Sequence, residues 1–482
     1  MALVAWRHQT KALTFLEQRG EYAALFMEMG TGKTRVIIDE FVEAINSSTL
    51  YNLLVIAPKG AYRNWPDELR KHMNEKLYQR CIIAIWKGKI DADIKAFINA
   101  VDRPRVLIMN VEAFSTVKNA INVAYTFLKR HPTIMVVDES TRIKDHKAKR
   151  TINIITLGKY AKRKRILSGL PTPNGPLDLY SQMEFLNSKI LDFPSYVAFQ
   201  RRYAVLRQVV TGRMLKGKWG GWYQEKFTVI DGYINEEELR DKIAPYCFRV
   251  TKAECLDLPP KIWEREVVEL TPEQKRIYSE LKAHATAELA EGHITATRVI
   301  TRMIRLHQLV CGYAVDEEGN MREVKHNRLE QLMEILSDYK NKVVIWANYI
   351  YSINQIVERI TKDYSPEAVA RFDGTNSDTR NNEETRWKSD PKCRFMIATQ
   401  QSGGLGNNWI EANLVIYYSN NYNLELRMQS EDRSHRGGQT KSVTYIDLVC
   451  PGTVDETIIG ALRDKIDLDT VITGDNYRQW LI

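Results

Sequence analysis

The chain alternates short apolar runs with longer amphipathic segments, and this alternation gives the first indication of its fold. In the first half the apolar runs are LLVIAP (53–58), RVLIMN (105–110), TIMVVDES (133–140) and RILSG (165–169). A second series follows: KVVIWAN (342–348), RFMIATQ (394–400), LVIYYSN (414–420) and TYIDLVC (444–450). Near-continuous apolar runs of this length are typical of parallel strands buried on both faces. The pattern therefore predicts an α/β protein with two parallel-sheet lobes.

Between about 187 and 335 the pattern becomes charged and helical. A helix is predicted to begin at Thr271-Pro272 and to stop at Gly292, because proline favours the first turn of a helix and glycine favours the position after its end. Most unusual polar residues lie just past the predicted strands, where open α/β sheets bind their ligands.

Composition narrows the class of protein. With 44% hydrophobic and 27% charged residues, the 482-residue chain is typical of a globular protein with two or three domains. No apolar stretch approaches the roughly 18 residues that span a bilayer, and Arg7, His8 and Lys11 interrupt the N-terminus. The six cysteines form no CxxC pair, which argues against a zinc site or a disulfide framework. We therefore expect reduced thiols and a cytoplasmic location, in a nucleoid or a host cytoplasm, without a membrane.

The net charge of +9 is unevenly distributed. Residues 201–226 carry seven basic residues and one acidic residue, interleaved with Tyr203, Trp219, Trp222 and Tyr223. Basic side chains with aromatic rings suit a polyanion that has stackable bases. The same pattern fits a solvated β-hairpin with a cross-strand aromatic cluster, so both interpretations remain open.

The stretch FMEMGTGKTR (26–35) favours a phosphate-binding turn. Gly30 and Gly32 let the backbone take positive φ and approach a ligand, with Thr31 between them. Lys33 would then reach the terminal phosphates of a nucleotide, and Thr34 would offer its hydroxyl to Mg²⁺. Met27 stands where the strict pattern has a further glycine, so an ordinary strand-to-helix turn is the alternative.

Two more stretches carry candidate chemistry. Asp138 and Glu139 close an apolar run, where Asp138 could hold Mg²⁺ and Glu139 could orient and deprotonate the attacking water. In MQSEDRSHRGGQ (428–439), Gln429, Arg433 and Arg436 would share one helix face, from which two guanidiniums could reach a γ-phosphate. The alternatives are turn chemistry for the acidic pair and a solvated helix face for the arginines.

Taken in order, these motifs resemble a family. The segments WRHQ, EMGTGKT, APKGAYRNWPDEL, VVDESTRIKD, ILSGLPTPNGPLDLY, FRVTKAECLDLPPK, QSGGLGNN, QSEDRSHRGGQ and GTVDETI look like successive motifs of the Swi/Snf-type ATPases of helicase superfamily two. The likeness runs from about residue 6 to residue 460. The chain resembles a compact member without accessory chromatin domains, of a viral or bacterial kind.

The resemblance implies two RecA-like lobes. These are an N-terminal lobe over 1–255 with an insertion at about 187–240, a C-terminal lobe over 256–460 with a helical insertion at about 271–335, and a short tail over 461–482. It also implies ATP and Mg²⁺ as cofactors, and double-stranded or branched DNA as the partner of a monomeric protein.

The resemblance assigns roles to individual residues. Gln9 would read adenine; Gly30, Thr31, Gly32, Lys33, Thr34 and Arg35 would form the nucleotide site together with Gly406 of the second lobe. Thr34 and Asp138 would be the metal ligands, Lys33, Asp138 and Glu139 catalytic groups, and Arg433 and Arg436 arginine fingers. Ser168–Pro171 would couple the nucleotide to DNA, with Gly404–Asn407 contributing from the second lobe.

The chain departs from the family pattern at three places. Ser140-Thr141 replaces the usual Gly-His and Leu170 replaces a threonine, which concerns this coupling. Gly437 replaces an apolar residue, which would loosen the helix end that carries Arg436. The leading hypothesis is an ATP-driven duplex DNA translocase that remodels forked or branched DNA or displaces bound proteins. The alternatives are a strand-separating helicase, a nucleotide-gated DNA-binding module and a related motor that moves a polypeptide.

Overall fold

The computed structural model describes residues 4–47, 52–100, 102–216, 220, 222–290, 296–316, 318–403 and 408–473. The chain divides into two compact units. The first contains the residues up to Ala204, Tyr233–Leu258 and the described residues from Lys465 onward, and the second contains Val205–Gly232 and Pro259–Asp464. The expected α/β class is confirmed, because each unit contains a parallel sheet flanked by helices.

The first sheet has seven strands, all parallel, in the order β3-β4-β2-β5-β6-β1-β9. The strands are β1 Tyr22–Met27, β2 Asn52–Ala57, β3 Ile82–Ile85, β4 Arg105–Asn110, β5 Thr133–Asp138, β6 Arg163–Ser168 and β9 Cys247–Val250. Strands β2 and β5 are buried along their whole length, as their unbroken apolar runs predict.

Twelve helices accompany this sheet in the described chain. They are α1 Arg7–Arg19, α2 Lys33–Asn46, α3 Trp65–His72, α4 Glu75–Arg80, α5 Ala92–Asn99, α6 Ala113–Thr116, α7 Lys118–Arg130, α8 Lys149–Gly158, α9 Leu179–Leu186, α10 Tyr196–Tyr203, α11 Glu236–Ile243 and α12 Lys252–Cys255. Four short 3₁₀ turns lie at Tyr62–Asn64, Ser140–Ile143, Pro176–Asp178 and Ala244–Tyr246. Val36, Ile37 and Phe41 of α2 are fully buried and belong to the same core as Leu25 and Leu53 of the central strands.

The second sheet has six parallel strands in the order β10-β17-β16-β13-β15-β14. They are β10 Lys261–Val267, β13 Val343–Trp346, β14 Val369–Phe372, β15 Phe395–Ala398, β16 Leu414–Tyr417 and β17 Val443–Val449, and a small antiparallel pair comprises β11 Tyr313–Val315 and β12 Met321–Glu323. The helices are α13 Pro272–Ala290, α14 Ala296–Val310, α15 Arg328–Asp338, α16 Ile350–Asp363, α17 Arg380–Ser389, α18 Gln400–Gly403, α19 Leu424–Glu431 and α20 Val454–Thr473, with a 3₁₀ turn at Pro366–Ala368. Trp346, Trp387 and Trp409 are completely buried in its core, where the rings of Trp346 and Trp409 stack at 5.2 Å.

The segment after residue 187 differs from the helical expectation. Beyond the short helix α10, strands β7 Ala204–Lys216 and β8 Trp222–Tyr233 form a long two-stranded hairpin. The reason lies in its many β-branched residues, which favour extended backbone. The predicted helix after residue 271 is confirmed as α13, whereas its predicted stop, Gly292, lies outside the described residues.

In the described ranges, each helix is too short or too polar to cross a bilayer.

Candidate functional site

The phosphate-loop stretch lies at the carboxyl end of β1 and leads directly into α2. Gly30 and Gly32 have φ values of 83° and 88°, and a Cβ at Gly32 would lie 2.1 Å from Gln9 Nε2. Position 32 therefore requires glycine for its backbone and for its close contact. The buried Lys33 donates a hydrogen bond through Nζ to the Met27 carbonyl at 2.8 Å. The loop thus curls around its own lysine at the N-terminus of a 14-residue helix.

The start of α1 packs onto this loop. Gln9 Oε1 accepts a hydrogen bond from Trp6 N at 2.9 Å, and Gln9 Nε2 donates to the Thr31 carbonyl at 3.2 Å. His8 Nε2 donates to the same carbonyl at 2.7 Å. These bonds place the Gln9 amide beside the phosphate loop, while its adenine-reading role stays a prediction.

Thr34 and Arg35 occupy the first turn of α2. Arg35 Nε donates to both carboxylate oxygens of Asp39, at 2.8 and 2.7 Å. Arg35 Nη1 also lies 2.8 Å from His72 Nδ1, which links α2 to α3. The structure therefore places Arg35 in an ion pair within α2 and in a hydrogen bond to α3, and its contact with a nucleotide stays a prediction.

Asp138 is the last residue of β5, and its carboxylate is held from two sides. Trp65 Nε1 donates to Oδ2 at 3.1 Å, and the backbone N–H of Glu139 donates to Oδ1 at 3.0 Å. Burial raises the pKa of the Asp138 carboxyl, while the Trp65 hydrogen bond and the charge of Lys33 oppose this rise. The lysine of the phosphate loop and the strand-end carboxylate thus lie within electrostatic reach of each other.

Glu139 has a left-handed backbone, with φ 48° and ψ 62°. For a residue with a Cβ, this conformation costs roughly 1–3 kcal/mol and must be imposed by the surrounding structure. This left-handed conformation turns the chain sharply directly after Asp138. Such a turn fits separate roles for the two acids, which stay predictions.

A Mg²⁺ site is compatible with these donors. Mg²⁺ prefers oxygen ligands, keeps several waters and needs only one or two protein ligands beside substrate phosphates. Asp138 has a carboxylate oriented by Trp65, and Thr34 has a hydroxyl beside Lys33 on the first turn of α2. These two residues fit the ion by donor type.

The predicted arginine pair belongs to the second unit, where one correction is needed. Helix α19 ends at Glu431, so Gln429, Arg433 and Arg436 do not share one helix face. The N–H of Arg433 bonds back to the Ser430 carbonyl at 3.3 Å, a three-residue spacing that closes the helix. Arg433 lies in the following turn, is 8% exposed and donates through Nε to the Gln429 carbonyl at 3.1 Å. Arg436 lies in the bend beyond and is half-buried.

The predicted coupling residues are partly described. Ser168 ends β6, and its Oγ accepts a hydrogen bond from Leu170 N at 3.1 Å. The described residues do not include Gly404–Asn407, the range that contains Gly406. They also do not include Lys218 and Trp219 of the basic aromatic stretch 201–226. Trp222, at the start of β8, is 64% exposed.

Sequence reasoning missed several residues that complete the site. Trp65 lies in the stretch APKGAYRNWPDEL and His8 lies in WRHQ. In the sequence, only the ring nitrogen of each side chain indicated that it could donate a hydrogen bond within the site. Gln182 on α9 carried no signal in the sequence, yet it bonds both to Ser140 and to the Pro171 carbonyl.

Comparison with known proteins assigns the family. The SNF2-related domain model matches residues 8–314, and the helicase conserved C-terminal domain model matches residues 325–438. The chain is 26% identical to a SWI/SNF-related matrix-associated actin-dependent regulator of chromatin subfamily A-like protein 1 from Xenopus tropicalis, over 95% of this chain and 44% of that protein. It is 25% identical to the putative ATP-dependent helicase/translocase YwqA of Bacillus subtilis, over 96% of this chain and 48% of that protein.

A solved structure, the Sulfolobus solfataricus SWI2/SNF2 ATPase core in complex with dsDNA, aligns with a TM-score of 0.43 at 24% identity, over 100% of this chain and 96% of that chain. The chain spans less than half the length of the two curated relatives named above. Since the SNF2-related model alone covers well over half of the sequence, the predicted resemblance is confirmed, and the chain belongs to the SNF2-related family.

Proposed function

We propose that the protein is an ATP-dependent translocase on double-stranded DNA, which remodels forked or branched DNA or displaces bound proteins. The observation that carries this proposal is the placement of two motifs at the carboxyl edge of the first sheet: the glycine loop around the buried Lys33 follows β1, and Asp138 ends β5. A phosphate-binding lysine beside a strand-end carboxylate is the arrangement that a nucleotide hydrolase requires.

Each residue has a distinct proposed role. Lys33 binds the terminal phosphates, and Glu139 orients the attacking water and accepts its proton. Thr34 and Asp138 hold Mg²⁺, which neutralises phosphate charge when bound. Arg433 and Arg436 stabilise the charge that develops on the γ-phosphate. Gln9, beside the loop, contacts the adenine.

DNA as the track is supported by charge and by family. The hairpin β7–β8 carries basic residues and the exposed Trp222, a combination that suits a nucleic acid. One relative of the chain is named DNA annealing helicase and endonuclease ZRANB3, from Bos taurus, at 24% identity over 95% of this chain and 39% of that protein.

The direct test is the rate of ATP hydrolysis without nucleic acid and with single-stranded DNA, duplex, forked DNA and RNA. Duplex or branched DNA is expected to stimulate hydrolysis most. Lys33→Ala should abolish turnover and retain DNA binding, whereas Glu139→Gln should bind ATP and trap it, because only the water-activating base is removed. Near-normal hydrolysis in a folded Lys33→Ala variant would overturn the nucleotide-site assignment.

A second assay separates translocation from strand separation. A duplex translocase displaces the third strand of a triplex with ATP and separates a plain fork poorly. Efficient fork unwinding without triplex displacement would favour the helicase, and the exposed Trp222 is the residue that could stack on an end base pair and split it. Slow hydrolysis that no DNA stimulates would favour the nucleotide-gated binding module.

A further inference from the structure

The loop between β6 and α9 is a junction within the first unit. We call residues 168–174 the junction loop. Its first contact is with the phosphate loop: a Cβ at Gly169 would lie 2.7 Å from Met29 Cγ and 3.1 Å from Met29 N. Any side chain at position 169 would therefore push against the backbone of the phosphate loop.

Its second contact leads to the acidic pair. Ser140 Oγ, one residue after Glu139, donates to Gln182 Oε1 at 2.6 Å. Gln182 Nε2 in turn donates to the carbonyls of Pro171 and Asp178, both at 2.8 Å. Ser140 and Gln182 are completely buried, so neither amide nor hydroxyl can exchange its partner for water without structural change.

Its third contact leads to the hairpin. Tyr233, the last residue of β8, donates through its hydroxyl to the Asn174 carbonyl at 3.0 Å. Asn174 N donates to Asp178 Oδ2 at 2.9 Å, and Asp178 also accepts from Lys144 Nζ at 3.3 Å. The base of the hairpin is thus tied to the same loop that contacts both nucleotide-site motifs.

We propose that Gln182 and Tyr233 are positioning residues that transmit a rearrangement of the nucleotide site, through the junction loop, to the base of the β7–β8 hairpin. This inference rests on the proposed function, in which the hairpin contacts DNA. Ser140 stands where the resembled family usually has glycine, and its bond to Gln182 supplies a hydrogen-bonded connection that a glycine lacks.

The test compares the DNA stimulation ratio, which is the rate of ATP hydrolysis with saturating duplex divided by the rate without DNA. In Gln182→Leu and in Tyr233→Phe the ratio should fall by about tenfold, equivalent to roughly 1.4 kcal/mol, within the range for one buried hydrogen bond. Ser181→Ala is the matched control, because Ser181 is a completely buried neighbour on α9 whose Oγ makes no hydrogen bond in the described chain.

A double variant separates coupling from mere stability. Ser140→Ala alone leaves Gln182 Oε1 buried without its hydrogen-bond donor, whereas Ser140→Ala with Gln182→Leu removes both partners of that bond and should recover part of the lost thermal stability. The stimulation ratio should stay low in the double variant. If the ratio recovers together with the melting temperature, the pair is only structural and the proposal is overturned.

A binding measurement checks the same path without turnover. In the wild type, a non-hydrolysable ATP analogue should change the duplex Kd, and Tyr233→Phe should remove most of that change. The inference alone fails if DNA stimulates hydrolysis in the wild type and the stimulation ratios of Gln182→Leu and Tyr233→Phe equal the wild-type ratio. If the wild type hydrolyses ATP with no response to any DNA, the proposed function fails and this inference fails with it.

Discussion

Trp65 donates a hydrogen bond from its indole Nε1 to Asp138 Oδ2 at 3.1 Å, and both side chains are buried. The indole therefore fixes the orientation of the carboxylate proposed to hold Mg²⁺. A residue that orients a metal ligand is itself a determinant of metal affinity.

Trp65→Phe should raise the Mg²⁺ concentration required for half-maximal ATP hydrolysis by about tenfold, because loss of such a partner costs roughly 10- to 100-fold in affinity. The measurement is a Mg²⁺ titration of turnover at saturating ATP. Trp86→Phe is the matched control, since Trp86 is equally buried but its Nε1 has no hydrogen-bond partner in the described chain. Equal shifts in the two variants would contradict the role of Trp65.

Glu40→Ala should strongly destabilise the first unit. Glu40 Oε1 accepts from Arg165 Nη2 at 2.7 Å, and neither side chain is more than 2% exposed. Removing the carboxylate leaves a buried guanidinium without its charge partner, which costs roughly 3–5 kcal/mol. Urea unfolding should show this loss, whereas Glu273→Ala, which breaks the exposed pair with Arg322, should cost at most about 1 kcal/mol.

Arg433→Ala and Arg436→Ala should each lower turnover by about 10³-fold with little change in ATP affinity, because an arginine finger acts mainly on the transition state. Rapid-quench turnover and equilibrium nucleotide binding measure the two quantities separately. Equal losses in binding and turnover would indicate a structural role. Since α19 ends before both arginines, a loss confined to Arg433 would show that Arg436 points elsewhere.

Lys226→Glu, on the hairpin strand β8, should weaken duplex binding and reduce the slope of log K against log salt by about 0.9 for a single lost phosphate contact. Affinity measured at several salt concentrations gives the slope. Lys392→Glu makes the same charge change just before β15, at the amino edge of the second sheet, and serves as the control. An unchanged slope for Lys226→Glu would favour the solvated-hairpin interpretation.

Acid should destabilise the second unit through His307. Its ring is buried between the Tyr349 hydroxyl, 2.9 Å from Nδ1, and Asp455 Oδ1, 3.5 Å from Nε2. Burial lowers the pKa of His307, the Asp455 carboxylate raises it and the Arg328 guanidinium lowers it, which together place the pKa at about 4. The unfolded chain, with a histidine pKa of about 6.5, therefore binds the extra proton first.

Above about pH 6.5 the neutral His307 should make its full contribution to the free energy of unfolding. Between about pH 6.5 and about pH 4 that free energy should fall by about 1.4 kcal/mol for each pH unit. Unfolding midpoints measured across this range in wild type and His307→Gln provide the check. The variant should show a flatter dependence, and parallel curves would remove His307 as the cause.

Local features of the fold follow directly from the order of residues along the chain. Unbroken apolar runs specified strands such as β2 and β5, because a strand buried on both faces needs apolar side chains at every position. The glycines of the phosphate loop predicted its left-handed turns, which depend only on the missing Cβ. The order of the motifs was sufficient to identify the family.

Contacts between residues far apart along the chain became visible only in the folded protein. Trp65 and Asp138 are 73 residues apart, Ser140 and Gln182 are 42 apart, and Asn174 and Tyr233 are 59 apart. Glu431, the last residue of α19, likewise accepts a hydrogen bond at 3.3 Å from Lys261 of β10, 170 residues earlier. The physical reason is that hydrogen bonds between buried side chains depend on the packing of several elements at once, and no periodicity along the chain encodes that packing.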